Sequence, residues 1–237
     1  MTNSEIMKNA RGSLNGKWMG EAGTLFLYFV LVTLIYVPDI IIGKFLGEDS
    51  WSAIILDFAW DIMLLPLSIG FAWYYNNLSQ NKVRSIKNFF YGYSPLFRNL
   101  LACVLKWVIT TALIAAAFIP LALCLFGNDV VVVVSIVVAL ILGFYLFYKF
   151  FGTIVFFDWR LGEDHKTGIV KLLRECYKRM QPHNDQFFTL NVRFTGWFIL
   201  CIFTLGIASF WIIPYLFSSY GIFYHQYIYP VEEPYDN

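Results

Sequence analysis

Residues 187–229 form an apolar run of more than forty residues that a single arginine, Arg193, interrupts. As one helix the run would measure about 64 Å, at about 1.5 Å per residue. A bilayer offers a hydrocarbon core only about 30 Å thick, and no plausible tilt absorbs the difference. One crossing is excluded unless part of the run lies flat. The stretch "FTLGIASFWIIPY" supplies the means to reverse. Gly206 and the Thr204 and Ser209 hydroxyls permit a turn, Trp211 suits an interface, and Pro214 can open a new helix. Two crossings are predicted, at about 187–205 and 211–227.

The rest of the chain is built from the same material. Only 14% of the residues are charged and 59% are hydrophobic, against about 25% charged in an ordinary soluble domain. So few charges cannot cover the surface of a soluble protein this long. Further spans are predicted at about 20–42, 51–75, 100–126 and 130–157, with "FGND" as a tight turn between the third and fourth. The fourth opens with the β-branched run "VVVVVSIVV". Water would favour a strand there, whereas in lipid only a helix satisfies its own backbone. The predicted fold is an all-α bundle of six spans, one transmembrane domain over 1–237.

Lysine and arginine fix the orientation. Three fall in residues 1–20, one in 43–51, four in 76–99, none in 126–129, seven in 158–193 and none beyond. Basic loops stay on the cytoplasmic side, so both termini are expected there. The apolar run after the basic N-terminus is too long for a signal-peptide core, and an uncleaved first span is expected. The net charge of +1 gives no reason to expect nucleic acid as a partner.

Two cytoplasmic stretches read as amphipathic helices, at about 82–93 and 165–181. In the second, Ile169, Leu172, Leu173, Cys176 and Met180 recur at helical spacing, with Lys171, Arg174, Lys178 and Arg179 on the rest of the surface. Such helices are expected in the headgroup region, apolar face toward lipid and basic side chains on anionic headgroups. Ordinary topology-setting charge and a docking surface for a cytosolic partner are the alternatives. The acidic, proline-containing tail "YPVEEPYDN" is expected to be disordered.

Candidate functional residues are few. Asp57 and Asp61, four apart, share a helical face with Ser50, Ala53 and Ser68. Asp61 falls about 15 Å into the second span. A carboxylate at that depth faces a bundle interior or a wet cavity and needs a partner. Lys149 is the expected counter-charge, while Lys106 and Arg193 are expected to snorkel. A proton or cation site, a structural polar pair, and an external interfacial helix over 51–61 all fit these residues. Gly12, Gly16 and Gly20 read as a flexible entry segment. Cys103, Cys124, Cys176 and Cys201 read as buried thiols, and His165, His183 and His225 lack metal-ligand spacing to cysteine or acids. Neither a metal nor a cofactor is expected, and no familiar catalytic motif appears.

The C-terminal third resembles the signature of an uncharacterised family of bacterial integral membrane proteins, the domain of unknown function nine-seven-five. Phe188, Leu190, Phe194, Gly196 and Trp197 carry the resemblance, followed by Thr204, Gly206 and Ile207, then Trp211, Pro214, Tyr215, Phe223 and Tyr224. Met180 fits upstream, and the N-terminal "ARGSLNGKWMGEA" is similar through Ala10, Leu14, Gly16, Trp18 and Ala22. Arg193 and Pro182 depart from the pattern, which usually has a small hydroxyl residue and a glycine there. The resemblance implies a six-span protein of the bacterial inner membrane and no established activity. Two roles follow as expectations: a non-enzymatic scaffold or regulator of another envelope system, or a transporter using the intramembrane acids. A lipid-modifying enzyme has only the membrane setting in its favour.

Overall fold

The computed structural model describes residues 1–46, 51–121 and 129–230. Every regular element among them is helical: α1 (Asn3–Leu14), α2 (Trp18–Leu46), α3 (Trp51–Leu64), α4 (Leu67–Ser79), α5 (Leu96–Phe118), α6 (Asp129–Glu163), α7 (Ile169–Met180), α8 (Asn184–Phe203) and α9 (Ser209–Phe223). Five stretches are long and apolar enough to cross a membrane, namely Trp18–Ile42, Ile55–Ser79, Leu96–Leu121, Asp129–Glu163 and Ile169–Phe203. This is the composition of a multi-pass membrane protein. The valine run opening α6 is helical, as lipid requires. Cys124, most of "FGND" and the tail from 231 onward lie outside the described residues.

The long C-terminal run does break. Thr204 ends α8, Leu205 and Gly206 take left-handed φ values of 51° and 87°, and α9 begins at Ser209. Gly206 N–H donates to the Cys201 carbonyl at 2.8 Å and Leu205 N–H to that of Ile202 at 3.2 Å. This pair of bonds is the Schellman closure of a helix C-terminus. The two helices then run antiparallel: Phe194 meets Tyr215 at 5.0 Å and Phe187 meets Phe223 at 5.3 Å between ring centroids. Pro214 does not open the second helix as expected; it sits buried inside α9.

Other boundaries also differ from the expectation. The segment read as a flexible entry, Gly12 to Gly20, is largely helical: it takes in the end of α1, whose start is closed by a capping box between Thr2 and Glu5, and the start of α2. Only Gly16, at φ 73°, marks a turn. The second predicted span is two helices, because the chain turns at Leu65 and Pro66 before α4 begins. The first amphipathic stretch is a 3-10 helix over Ile86–Tyr93. It lies against α4 so closely that a Cβ on Gly70 would fall 1.8 Å from the Phe89 carbonyl oxygen, and one on Gly92 1.8 Å from that of Pro66.

Burial is concentrated at the end of the molecule where the basic segments gather. Ile6, Ala10 and Leu14 of α1, Tyr75 and Leu78 of α4, Phe156 and Trp159 of α6, and Phe223 and Tyr224 near the C-terminus are 1% exposed or less. Phe156 stacks on Phe223 with planes 4° apart and centroids at 5.8 Å. The opposite ends of the long helices are bare, with Leu34 63% exposed, Phe45 88%, Ile119 69% and Leu140 69%. Apolar side chains gain little by leaving lipid for one another, so nothing in the sequence forces these ends together.

The second amphipathic helix behaves differently from the expectation. The apolar face of α7 turns away from lipid: Leu172, Cys176 and Met180 are fully buried, packed with Ile69, Phe157, Leu161 and Phe187 in the two core clusters. Lys171, Arg174, Lys178 and Arg179 stay exposed. A Gly70→Ala variant is expected to lose about 1–3 kcal/mol from the clash with Phe89, read as a lower thermal midpoint in detergent. Gly196→Ala, whose Cβ meets nothing within 4 Å, is expected to shift stability by less than about 0.5 kcal/mol.

Candidate functional site

The strongest polar contact facing the apolar helices is an ion pair between α5 and α6. Lys106 Nζ lies 2.8 and 2.6 Å from the two Asp158 carboxylate oxygens and donates to Ser68 Oγ at 3.3 Å. The pair is largely shielded, with 17% and 13% of the two side chains exposed. A cavity of about 270 Å³ beside it is lined by Tyr28, Ser68, Phe71, Asp158 and Phe217. A second, of about 360 Å³, is lined by Tyr36, Asp61, Leu65, Ser68 and Lys106. Asp61 Oδ1 accepts the Tyr36 hydroxyl at 3.0 Å, and Trp60 Nε1 donates to the Ile35 carbonyl at 3.0 Å, together tying α3 to α2.

Asp61 therefore shares a cavity with Lys106 and not with the expected Lys149. The Lys149 ammonium sits about 13 Å along α6 from Asp158, 3.5 Å from Gln181 Oε1. Asp57 lies exposed on α3 and forms no ion pair with a described residue. Asp158 was not legible as a partner because "FFDWR" stands at the edge of an apolar run, where a solvated charge is the ordinary reading. The available signal was that Lys106 stands inside an apolar run, where an ammonium calls for a counter-charge.

A second polar constellation knits the basic end together. Glu163 accepts from Asn76 Nδ2 at 2.9 Å and from the Tyr224 hydroxyl at 2.6 Å, with Arg160 3.6 Å away. His225 Nε2 lies 2.5 Å from Asn76 Oδ1. Glu21, 3% exposed, pairs with Arg84 at 2.8 Å and accepts the Tyr74 hydroxyl at 2.9 Å. The Tyr229 ring lies between two guanidinium groups, Arg160 at 4.3 Å and Arg179 at 4.2 Å. The first residue of the tail is thus held by cation–π contacts.

Asp164 closes the loop between α6 and α7. It accepts from the Thr167 and Lys166 N–H groups at 2.9 Å and from the Thr167 hydroxyl at 2.7 Å. Burial alone would raise its carboxyl; the Thr167 and Lys166 hydrogen bonds, with the Arg160 charge, outweigh it and bring the pKa down to about 2. Burial, together with the Arg98 charge, holds neighbouring His165 below its ordinary value.

The signature residues from both ends of the chain meet around one ring. Tyr215 OH accepts from Arg11 Nε at 3.0 Å. Trp18 at 6.1 Å, Phe194 at 5.0 Å and Trp197 at 6.3 Å surround its ring. Ala10 and Leu14 are fully buried nearby. Thr204 Oγ1 accepts the Ala208 N–H at 3.1 Å, and Ser209 Oγ donates to the Gly206 carbonyl at 2.6 Å, so the turn is closed by its own side chains. Gly196 stands in open space, since a Cβ there would meet nothing within 4 Å. The thiols of Cys103 and Cys176 are buried and Cys201 is half-buried. Among the described residues no group of three His, Cys, Asp or Glu side chains is placed to hold a metal.

Two tests follow from this geometry. Lys106→Met or Asp158→Leu alone strands a shielded charge and is expected to cost toward the lower end of ~3–5 kcal/mol, while the double variant recovers most of that loss. Thermal midpoints of the four proteins in detergent make the cycle. The Asp164 carboxyl is depressed from 3.8 to about 2, so its contribution is complete well above pH 3.8 and is lost as pH falls through about 2. The gap in thermal midpoint between the parent and Asp164→Asn is therefore expected to be constant above about pH 5, to shrink as pH falls and to close by about pH 1.

The match to a known family spans nearly the whole chain: the model of the family described as "Protein of unknown function (DUF975)" matches residues 1–228. No curated protein and no solved structure matches. The resemblance noted at the two ends of the sequence therefore extends through the middle, and the chain belongs to the DUF975 family.

Proposed function

We propose that this protein is a multi-pass component of the bacterial cytoplasmic membrane, one transmembrane domain without a catalytic centre, that scaffolds or regulates another envelope or transport system. One observation carries the reading. Buried side chains gather at the basic end, while among the described residues the outer halves of the long apolar helices are largely exposed. In this reading the basic segments and both termini lie at the cytoplasmic face; a count of six requires α8 and α9 each to traverse the bilayer, and the termini share a side whether that hairpin crosses or not. Lys171, Arg174, Lys178 and Arg179, exposed on α7, meet anionic headgroups at about 1 kcal/mol each. The lipid bilayer is the first partner and a membrane or cytosolic protein the second; neither nucleic acid nor a cofactor enters.

The test is in-cell crosslinking through amines, Lys171 and Lys178 among them, followed by mass spectrometry. A fixed protein partner, recovered reproducibly through α7, is expected. Its absence, together with solute- or proton-dependent flux through the protein reconstituted alone, would reject the scaffold.

A second reading, a small-solute or proton-coupled transporter, rests on the cavity where Asp61 and Lys106 face one space. It requires Asp61→Asn to abolish flux while leaving the thermal midpoint in place. Unchanged flux would remove Asp61 from any mechanism.

A further inference from the structure

The α8–α9 hairpin has the sequence of two crossings, yet its neighbours set it at a shallower depth. Helix α1 is polar on its outer face, with Lys8 and Arg11 exposed, and it lies along the lower half of the hairpin. Gln186 Nε2 reaches the Met1 carbonyl at 3.0 Å, Arg193 Nη1 reaches Ser4 Oγ at 2.6 Å, and Arg11 reaches Tyr215. A charged helix cannot lie within hydrocarbon at a cost of several kcal/mol per charge. Arg11 and Arg193 therefore mark the headgroup level on α9 and α8. From Tyr215 or Arg193 to the tip at Leu205 is only about 15–18 Å of helix, against a hydrocarbon core of about 30 Å.

Two further contacts agree. Phe210, near the tip, meets α2 at Phe26 and Phe29, and α2 continues to Leu46, about 25 Å farther. Phe187 and Phe188, adjacent on α8, touch Phe151 and Phe156 on one side and Phe144 and Tyr148 on the other. Those four residues spread over about 18 Å of the α6 axis. Consecutive residues reach so far along a neighbour only when the helices cross steeply, so α8 is inclined to the long helices and loses depth again.

We infer that the α8–α9 hairpin is a re-entrant wedge whose apolar tip rests among the acyl chains of one leaflet, the one facing the basic side, and turns back without crossing. The tip is suited to that partner. Phe203 is 81% exposed, Leu205 93% and Ile207 62%; Trp197 and Trp211 stand half-exposed below it, and Lys8, Arg11 and Arg193 face the anionic headgroups below them. Aromatic rings and basic side chains at that boundary are the usual interfacial anchors. Four crossings and one hairpin leave both termini on the same side, so the charge pattern is satisfied as well as by six.

The name of the leaflet rests on the orientation proposed above; the depth does not. Leu205→Cys and, as a second site, Ile207→Cys carry an environment-sensitive fluorophore in reconstituted vesicles containing lipids with quenchers at known depths, the parent protein serving as blank for native thiols. Strongest quenching by groups near mid-bilayer is expected, with no labelling of either cysteine by a membrane-impermeant maleimide added outside intact cells. Rapid labelling from outside would mean that the hairpin crosses fully. Labelling only after permeabilisation, without lipid quenching, would mean that it stays in water. Either result overturns the wedge. A C-terminal reporter found outside the cell would instead reject the orientation and the leaflet, while the quenching depth would stand.

Discussion

The packing of α6 against the C-terminal helix at Phe156 is the contact on which the rest depends. Phe156 lies flat on Phe223 and also touches Phe187, Tyr220 and Tyr224, so one ring joins α6, α8 and α9. Trp159, one turn along, meets Tyr224, whose hydroxyl ends on Glu163. At the basic end, where water competes for every apolar surface, burying a side chain of this size is worth about 1.5–3 kcal/mol. Farther along the same helices the surroundings are apolar and that drive disappears. A molecule with a tightly packed aromatic base and loosely associated long helices follows from this change of solvent along one helix axis.

Much of this was legible in the sequence because lipid imposes few choices. The valine run of α6 had to be helical, and the run after Phe187 had to turn, since length excluded a single crossing. The Gly206 reversal was readable from one glycine between two hydroxyl residues. What escaped depends on contacts distant in sequence. The glycine-bearing start of the chain looked like a flexible entry, and α1 becomes fixed only because Ile6, Ala10 and Leu14 find α9 and α8. The turn at Pro66 stayed hidden inside an apolar run, and its position reflects the close approach of the 3-10 segment at Gly92. The face of α7 bearing Leu172, Cys176 and Met180 has the pattern of a lipid-facing stripe; periodicity alone does not distinguish lipid from a protein core.

The candidate site shows the same division. Asp61 stood out as an acid within an apolar stretch, and it lines a cavity of about 360 Å³. Its cationic neighbour is Lys106, already paired with Asp158, because the helix turn at Leu65 and Pro66 brings Ser68 and Asp61 to α5, not to the middle of α6 where Lys149 lies. The Lys106–Asp158 pair, with the contact to Ser68, ties α4, α5 and α6 together.

The central claim is that the outer halves of the long helices face lipid. It is tested most directly by scanning α6 with nitroxide labels in a bilayer and measuring collision with dissolved oxygen from 130 to 147. The account predicts one narrow shielded stripe through Ser135, Ala139 and Gly143, where α6 faces α5 at Ala117, and high collision rates at Val133, Val137, Leu140, Ile141 and Phe144. A second shielded face, repeating every three to four residues through those exposed positions, would contradict it.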